Sequence, residues 1–360
     1  MLANKNTRLA IISTHPIQYY APVFKLLAQK TSLMVFYTKN KTFDRGFQQK
    51  ILWDIPLLEE YKYAFAGKST LKEIASFQPD HIIIYGWAHF LHLRIMRHFK
   101  GKIPILFRGD SNLLVKHSTL KNFCKRLALQ FIYKHIDKAL YVGINNKDYF
   151  KQYGIKEAQL FFAPHAIDNH RFATTTKSEL RNELKIKPEE ILILYAGKFE
   201  PVKNPGLLLQ AFLELRLPHA HLLFTGDGIL KKALKTQSRP CKKVHFMSFQ
   251  NQSKMPGIYQ SCDLFCLPSN GDSWGLAVNE AMAAGKAILV SDKVGAAADL
   301  VTKENGKIFK HNDLKDLKRN LLELITNRSD LQQKGKSSFK IIADWNFENQ
   351  VDHILNAISN

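Results

Sequence analysis

Short apolar, β-rich runs recur along this chain, each followed by a longer amphipathic stretch. Five runs in the first half read as strands: Leu9–Ser13, Leu33–Tyr37, His81–Tyr85, Ile103–Phe107 and Lys138–Val142. Five more follow at Ile191–Ala196, Ala220–Thr225, Lys243–Phe246, Leu264–Leu267 and Ala287–Ser291. Helical periodicity fills the intervals, at Ala21–Lys30, Leu91–Phe99 and Thr119–His135, then at Pro205–Leu215, Gly228–Thr236, Lys254–Gln260, Ala277–Ala284 and Asn312–Asn327. A strand that is apolar without alternation is buried on both faces, as in a parallel sheet covered by helices. The pattern occurs twice, which predicts an α/β chain of two doubly wound, Rossmann-like domains. The joint falls in Phe172–Pro188, where apolar periodicity fades before a new strand at Ile191. The domains expected are 1–173 and 178–344. Facing each other, they would share a central cleft at the carboxyl ends of both sheets.

At roughly 150 residues per domain, 360 residues accommodate two. With 45% hydrophobic and 23% charged residues the chain is no disordered basic tail, collagen or mucin-like stalk. Its net charge of +21 therefore lies on folded domains and predicts anionic partners: phosphates, nucleic acid or an acidic membrane. The charge is uneven. Residues 1–175 hold 26 Lys and Arg against 11 Asp and Glu, a net of +15, and residues 176–360 a net of +6. No nucleic-acid module or basic-aromatic repeat is present, so nucleic acid is not expected as a partner. The four cysteines (Cys124, Cys241, Cys262 and Cys266) form no Cys-x-x-Cys pair, which suits a reducing compartment. The apolar run Leu9–Ile12 is too short for a signal peptide, and no run nears the ~20 apolar residues of a membrane span. The expected location is cytoplasmic, or peripheral on the inner face of the cell membrane. The 14 histidines lack metal-ligand spacing, and no metal is expected.

Two segments carry chemistry. The first is the eighteen-residue run from Pro268 to Gly285. It leads from the strand Leu264–Leu267 through a small, polar loop into a helix beginning near Gly275–Ala277 and ending at Gly285. The unbonded N–H groups at such a helix start suit an anion, and glycine lets a phosphate approach. Asp272 precedes the helix, where a cap is the simpler role. Glu280 lies within it beside Ala281, Met282 and Ala283; a carboxylate among apolar neighbours needs a polar partner, and two ribose hydroxyls would serve. The second segment, Tyr195 to Gly206, leaves a strand at Gly197 and enters a helix near Pro205. Lys198 and Lys203 flank the loop, as solvated surface charges or as a diphosphate cradle.

Together the segments resemble the retaining GT-B glycosyltransferases of family 4, built from two facing Rossmann-like domains. An acid, seven intervening positions and a glutamate fall on Asp272 and Glu280, with Asp where the family usually has Glu. The family's Arg-then-Lys pair falls on Lys198 and Lys203. Thr225-Gly226-Asp227-Gly228, Tyr259 to Pro268, and Pro164 to Phe172 also match, in the same order.

The resemblance implies that Glu280 holds the donor ribose, Lys198 and Lys203 neutralise the diphosphate, and the backbone of Gly275, Leu276 and Ala277 binds the distal phosphate or sugar. Asp272 would grip the sugar hydroxyls, and Gly226 and Gly228 would keep the nucleotide side open. Residues 345–360 would cross back onto the first domain. The donor would be a nucleoside-diphosphate sugar and the acceptor a glycan or lipid-linked molecule, in cell-surface polysaccharide or glycolipid synthesis. Neither metal nor other cofactor is implied, because positive groups take the metal's place.

The N-terminal half is less marked. Ser13 to Tyr20 follows the first strand; His15 and Gln18 bind donor or acceptor there, or the segment is simply a helix-entry loop. Arg108 and Asp110 follow another strand: Arg108 as a phosphate ligand, Asp110 as an acceptor contact or the cap of the next helix. Gly86 to His89 is a candidate acceptor-side rim. Lys116, Lys121, Lys125 and Arg126 mark a helix suited to an anionic membrane surface. The alternatives are a sugar-nucleotide epimerase of the same fold and a non-enzymatic nucleic-acid- or anion-binding protein.

Overall fold

The computed structural model describes residues 5–39, 43–44, 46–47, 49–115, 118–174 and 179–360, and for Phe43 only the backbone. Fifteen strands are present among them. Nine lie in the first half of the chain: β1 (Arg8–Ser13), β2 (Ser32–Tyr37), β3 (Phe43–Asp44), β4 (Gln49–Lys50), β5 (Tyr63–Phe65), β6 (His81–Tyr85), β7 (Ile105–Arg108), β8 (Lys138–Tyr141) and β9 (Leu160–Phe162). Six follow: β10 (Ile191–Ala196), β11 (Ala220–Thr225), β12 (Val244–Met247), β13 (Leu264–Leu267), β14 (Ala287–Ser291) and β15 (Gly306–Phe309).

The chain divides into two compact units. The first comprises Met1–Lys41, Ile55–Ala166 and Asn346–Asn360. Its seven-stranded sheet has the order β5-β2-β1-β6-β7-β8-β9 and every pairing is parallel. One face packs on the helix Phe347–Ser359, whose Val351, Ile354 and Ile358 join Leu9, Ile11 and Val23 in a single core. The other face holds Ile82, Ile84, Ile95, Phe107 and Leu129. Burial on both faces is what the unalternated Ile82-Ile83-Ile84 run demands.

The second unit comprises Thr42–Asp54 and Ile167–Trp345. Its six-stranded parallel sheet has the order β12-β11-β10-β13-β14-β15. In chain order within the unit this is 3-2-1-4-5-6, a doubly wound sheet whose winding reverses between β10 and β13. The loops leaving those two strands run outward side by side. Ligands bind at such a reversal, beyond the carboxyl ends of the strands. In the first unit the same reversal falls between β1 and β6, so the loops after Ser13 and Tyr85 flank it.

The unit boundary departs from the expected 1–173. Ile167 to Ala173 packs with the second unit because the Phe172 ring is fully buried, 5.6 Å from Tyr259. The Gln260 amide donates to the Phe172 carbonyl, and Asn169 to that of Ile342, each at 2.8 Å. Residues 42–54 are the second difference. Their hairpin of β3 and β4 belongs with the second unit, tied by Phe47 against Phe249 at 4.9 Å and by Asn251 donating to the Leu52 carbonyl at 2.6 Å. Trp345 also stays with the second unit, stacked 5.2 Å from Trp274, and the chain enters the first unit at Asn346.

Candidate donor site

The site is assembled by the two loops at the β10–β13 reversal. The Val202 carbonyl accepts from the Asn270 N–H at 2.8 Å, and Asn204 donates to the Asn270 side-chain oxygen at 3.3 Å. Across this junction Lys203 Nζ lies 2.6 Å from Asp272 Oδ2, with both side chains mostly buried. The structure thus pairs two of the predicted residues. The N-cap position of the following helix is taken by Gly275. The Asp272 backbone forms an isolated bridge with Val294, its N–H donating to Lys293 and its carbonyl accepting from Gly295.

The helix Leu276–Ala283 starts at Gly275, which has φ of +94°. A Cβ there would also lie 2.9 Å from Val294 Cγ1, so glycine is needed for both conformation and space. The N–H groups of Gly275, Leu276 and Ala277 precede the helical ladder and suit an anion. Trp274 steadies the approach: its indole donates to Asn279 Oδ1 at 2.9 Å while its ring stacks on Trp345.

Glu280 is only 3% exposed. The Tyr259 hydroxyl donates to its Oε2 at 2.8 Å. This partner lies 21 residues earlier on the helix Met255–Ser261, a separation no local motif marks.

Lys198 meets a residue the sequence did not single out. Its ammonium lies 2.9 and 3.1 Å from the two carboxylate oxygens of Asp44 and 5.2 Å from the centre of the Phe47 ring. Burial acts to raise the Asp44 pKa, but Lys198 and the N–H groups of Phe47 and Gly46 outweigh it and hold the carboxyl below its usual range. Tyr195, fully buried, donates its hydroxyl to the Lys198 carbonyl at 2.7 Å. Burial, with the charges of Asp272 and Glu200 adding, raises its pKa well above 10, so it remains a neutral donor.

Gly226 and Gly228 are also required by the packing of the two loops. A Cβ on Gly226 would stand 1.9 Å from the Gly197 carbonyl oxygen, and one on Gly228 2.7 Å from that of Phe199. They permit backbone contact between two loops; Phe199 N–H donates to the Asp227 carbonyl at 2.8 Å.

In the first unit, the expectation that Arg108 binds phosphate is overturned. The residue is 2% exposed, and Nη1 and Nη2 donate to the carbonyls of Ala163 and Pro164, both at 2.9 Å. The guanidinium ties β7 to the segment after β9 and is held away from solvent. Replacing Arg108 by Met removes the guanidinium donor of the buried Ala163 carbonyl and is expected to cost about 2 kcal/mol of stability. Denaturant unfolding measures that loss, and nucleotide affinity should be unchanged. Asp110 does not cap the next helix, Thr119–Tyr133, which begins nine residues later behind Ser118. His15 and Gln18 are half-buried in the turn between β1 and the helix Ala21–Lys30, with His15 Nδ1 3.1 Å from the Thr14 hydroxyl. His165, also not singled out, stacks on Tyr20 and is buried. Burial first, then the Arg108 charge, lowers its pKa to about 3, so it is neutral at physiological pH.

Among the described residues no cluster of three His, Cys, Asp or Glu side chains has the arrangement of a metal site. Among the same residues no helix is long and apolar enough to cross a membrane.

Residues 176–340 match the family described as glycosyl transferases group 1. A D-inositol 3-phosphate glycosyltransferase of Nocardia farcinica is 24% identical over 219 residues, 58% of this chain and 49% of the relative. A sulfoquinovosyl transferase of Arabidopsis thaliana is 24% identical over 282 residues, 74% of this chain and 54% of the relative. The chain spans about half the length of these curated relatives. The crystal structure of HepE from Anabaena, in complex with UDP and glucose, superposes with a TM-score of 0.76 at 16% identity, covering 98% of this chain and 99% of that one. The likeness extends the shared fold, GT-B, to both units.

Proposed function

We propose that this chain, whose residues 176–340 match the family of glycosyl transferases group 1, transfers a sugar from a nucleoside-diphosphate sugar to a glycan or lipid-linked acceptor. One observation carries the reading: Lys203, Asp272 and the start of the helix Leu276–Ala283 adjoin at the reversal of a doubly wound sheet, with Lys198 on one of the same two loops. Cations and a helix N-terminus there suit a diphosphate, whose charge grows as it leaves. Lys198 and Lys203 neutralise the leaving group, Asp272 binds the donor sugar, and Glu280, oriented by Tyr259, holds the ribose hydroxyls. HepE was solved with UDP and with UDP-glucose, which favours a uridine nucleotide as the first donor to try. Transfer proceeds with retention, the departing phosphate taking the acceptor proton on the face it leaves. A role in cell-surface polysaccharide or glycolipid synthesis follows from such an acceptor.

The test is a thermal-shift screen of nucleoside diphosphates and their sugars, followed by turnover with candidate acceptors and assignment of the product anomer by NMR. Stabilisation by a nucleoside diphosphate supports the reading. Donor consumption without acceptor and with a changed sugar would replace it by epimerisation, and an inverted product would remove retention.

The Asp44–Lys198 pair adds a prediction. Both side chains are about one-third exposed, where an ion pair contributes roughly 0.2–1 kcal/mol. A diphosphate at Lys198 competes with Asp44, so Asp44→Asn should tighten nucleoside-diphosphate binding, by up to about fivefold. Calorimetric titration decides; weaker binding would make Asp44 part of the donor site instead of its competitor.

A further inference from the structure

The helix Thr119–Tyr133 buries only Leu129, Ile132 and Tyr133 along one side. Leu120, Phe123, Leu127 and Phe131 are 74%, 58%, 54% and 52% exposed. At 100° per residue these four fall within about 80° of arc, opposite the buried side. An apolar stripe thus points away from the protein's own core. It continues past Phe131 to Phe90, 78% exposed, and both rings line a cavity of about 470 Å³ with Leu93 and Ile132. Arg94 and Arg97 also line that cavity. Lys121, Arg126 and Lys134 are exposed along the same helix.

Charge identifies the occupant. Residues 81–136 contain ten Lys and Arg and a single acid, Asp110. Lys116 lies outside the described residues. Lys125 turns inward, its ammonium 4.8 Å from the centre of the Tyr149 ring and 5.5 Å from that of Tyr153. Lys121, Arg126 and Lys134, with Arg94 and Arg97, border an apolar strip, the arrangement with which a helix lies in the interface of an anionic bilayer. A nucleic acid would be served by the cations alone and gives no reason for exposed Leu120, Phe123 and Leu127.

We propose that this surface, made by the helices Thr119–Tyr133 and Phe90–Phe99, docks on an anionic lipid bilayer, with the stripe entering the acyl boundary and the flanking Lys and Arg meeting head groups. The proposal does not depend on the transferase reading.

Flotation of the full chain with phosphatidylcholine vesicles, with and without phosphatidylglycerol, tests it. Binding should require phosphatidylglycerol and weaken at least tenfold as salt rises. Phe123→Asn with Leu127→Asn should reduce binding at least tenfold, as should Lys121→Glu with Arg126→Glu. All four positions are exposed, so an unchanged thermal midpoint will separate lost docking from lost folding. No binding to the anionic vesicles overturns the proposal, as does binding that ignores both pairs of substitutions. So does a dimer in sedimentation that Leu127→Asn dissolves, or RNA binding at physiological salt without vesicle binding.

Discussion

Glu280→Gln should raise the Kd of the true nucleoside-diphosphate sugar at least a hundredfold and leave folding nearly intact. The side chain is 3% exposed and accepts from Tyr259, so its orientation is fixed before any ligand arrives. Hydrogen bonds to a charged acceptor contribute roughly 1.5–3 kcal/mol each. Two ribose hydroxyls on one carboxylate therefore stand to lose about 3 kcal/mol when charge and one acceptor are removed, and about 1.4 kcal/mol is tenfold. Glutamine keeps a carbonyl oxygen for Tyr259, so stability should move little. Glu280→Leu removes that acceptor too and strands a buried hydroxyl, which costs a further 1–3 kcal/mol or so. Titration with donor, paired with denaturant unfolding, separates the effects. Donor affinity equal to the wild type in Glu280→Gln would make Glu280 the core partner of Tyr259 and nothing more.

The sequence carries much of the scaffold because the middle strands hold unalternated runs of apolar residues. The bounds read for β10, β11, β13 and β14 are those observed, and all their residues are buried. Elements without that signal escaped. Strand β9 has only three residues, all half-buried, and β5 stands at a sheet edge. The helix Ile144–Gln152 is mostly polar, and Arg328–Ile342 contains Gly335, a helix weakener. There a Cβ would stand 2.2 Å from the Gly285 carbonyl oxygen, so close packing overrides propensity.

In the site, spacing along one loop was legible but partners from distant chain were not. Lys203 and Asp272 were both readable, whereas Asp44 sits in a two-strand hairpin 154 residues before Lys198. Arg108 misled for a related reason. A cation ending a parallel strand looks like a phosphate ligand until the path of Ala163 and Pro164 brings two carbonyls to it.

Lys203→Ala should lower kcat by about 10²–10³, the loss seen when a preorganised group that stabilises developing negative charge is removed. Lys203 is held by Asp272 at 2.6 Å with 24% of its side chain exposed, so it is partly desolvated and little reorganisation is needed as the diphosphate departs. The same pair raises a rival explanation, that Lys203 acts only by positioning Asp272. A double-mutant cycle with Asp272→Asn distinguishes the two. If Lys203 merely holds Asp272, its removal costs nothing further once the Asp272 carboxylate is neutralised. If Lys203 meets the leaving group, Lys203→Ala still lowers kcat in the Asp272→Asn background, and the loss shrinks for donors whose leaving group is a better anion. Turnover at the wild-type rate in Lys203→Ala with the true donor and acceptor would remove both roles, because neither tolerates loss of the ammonium.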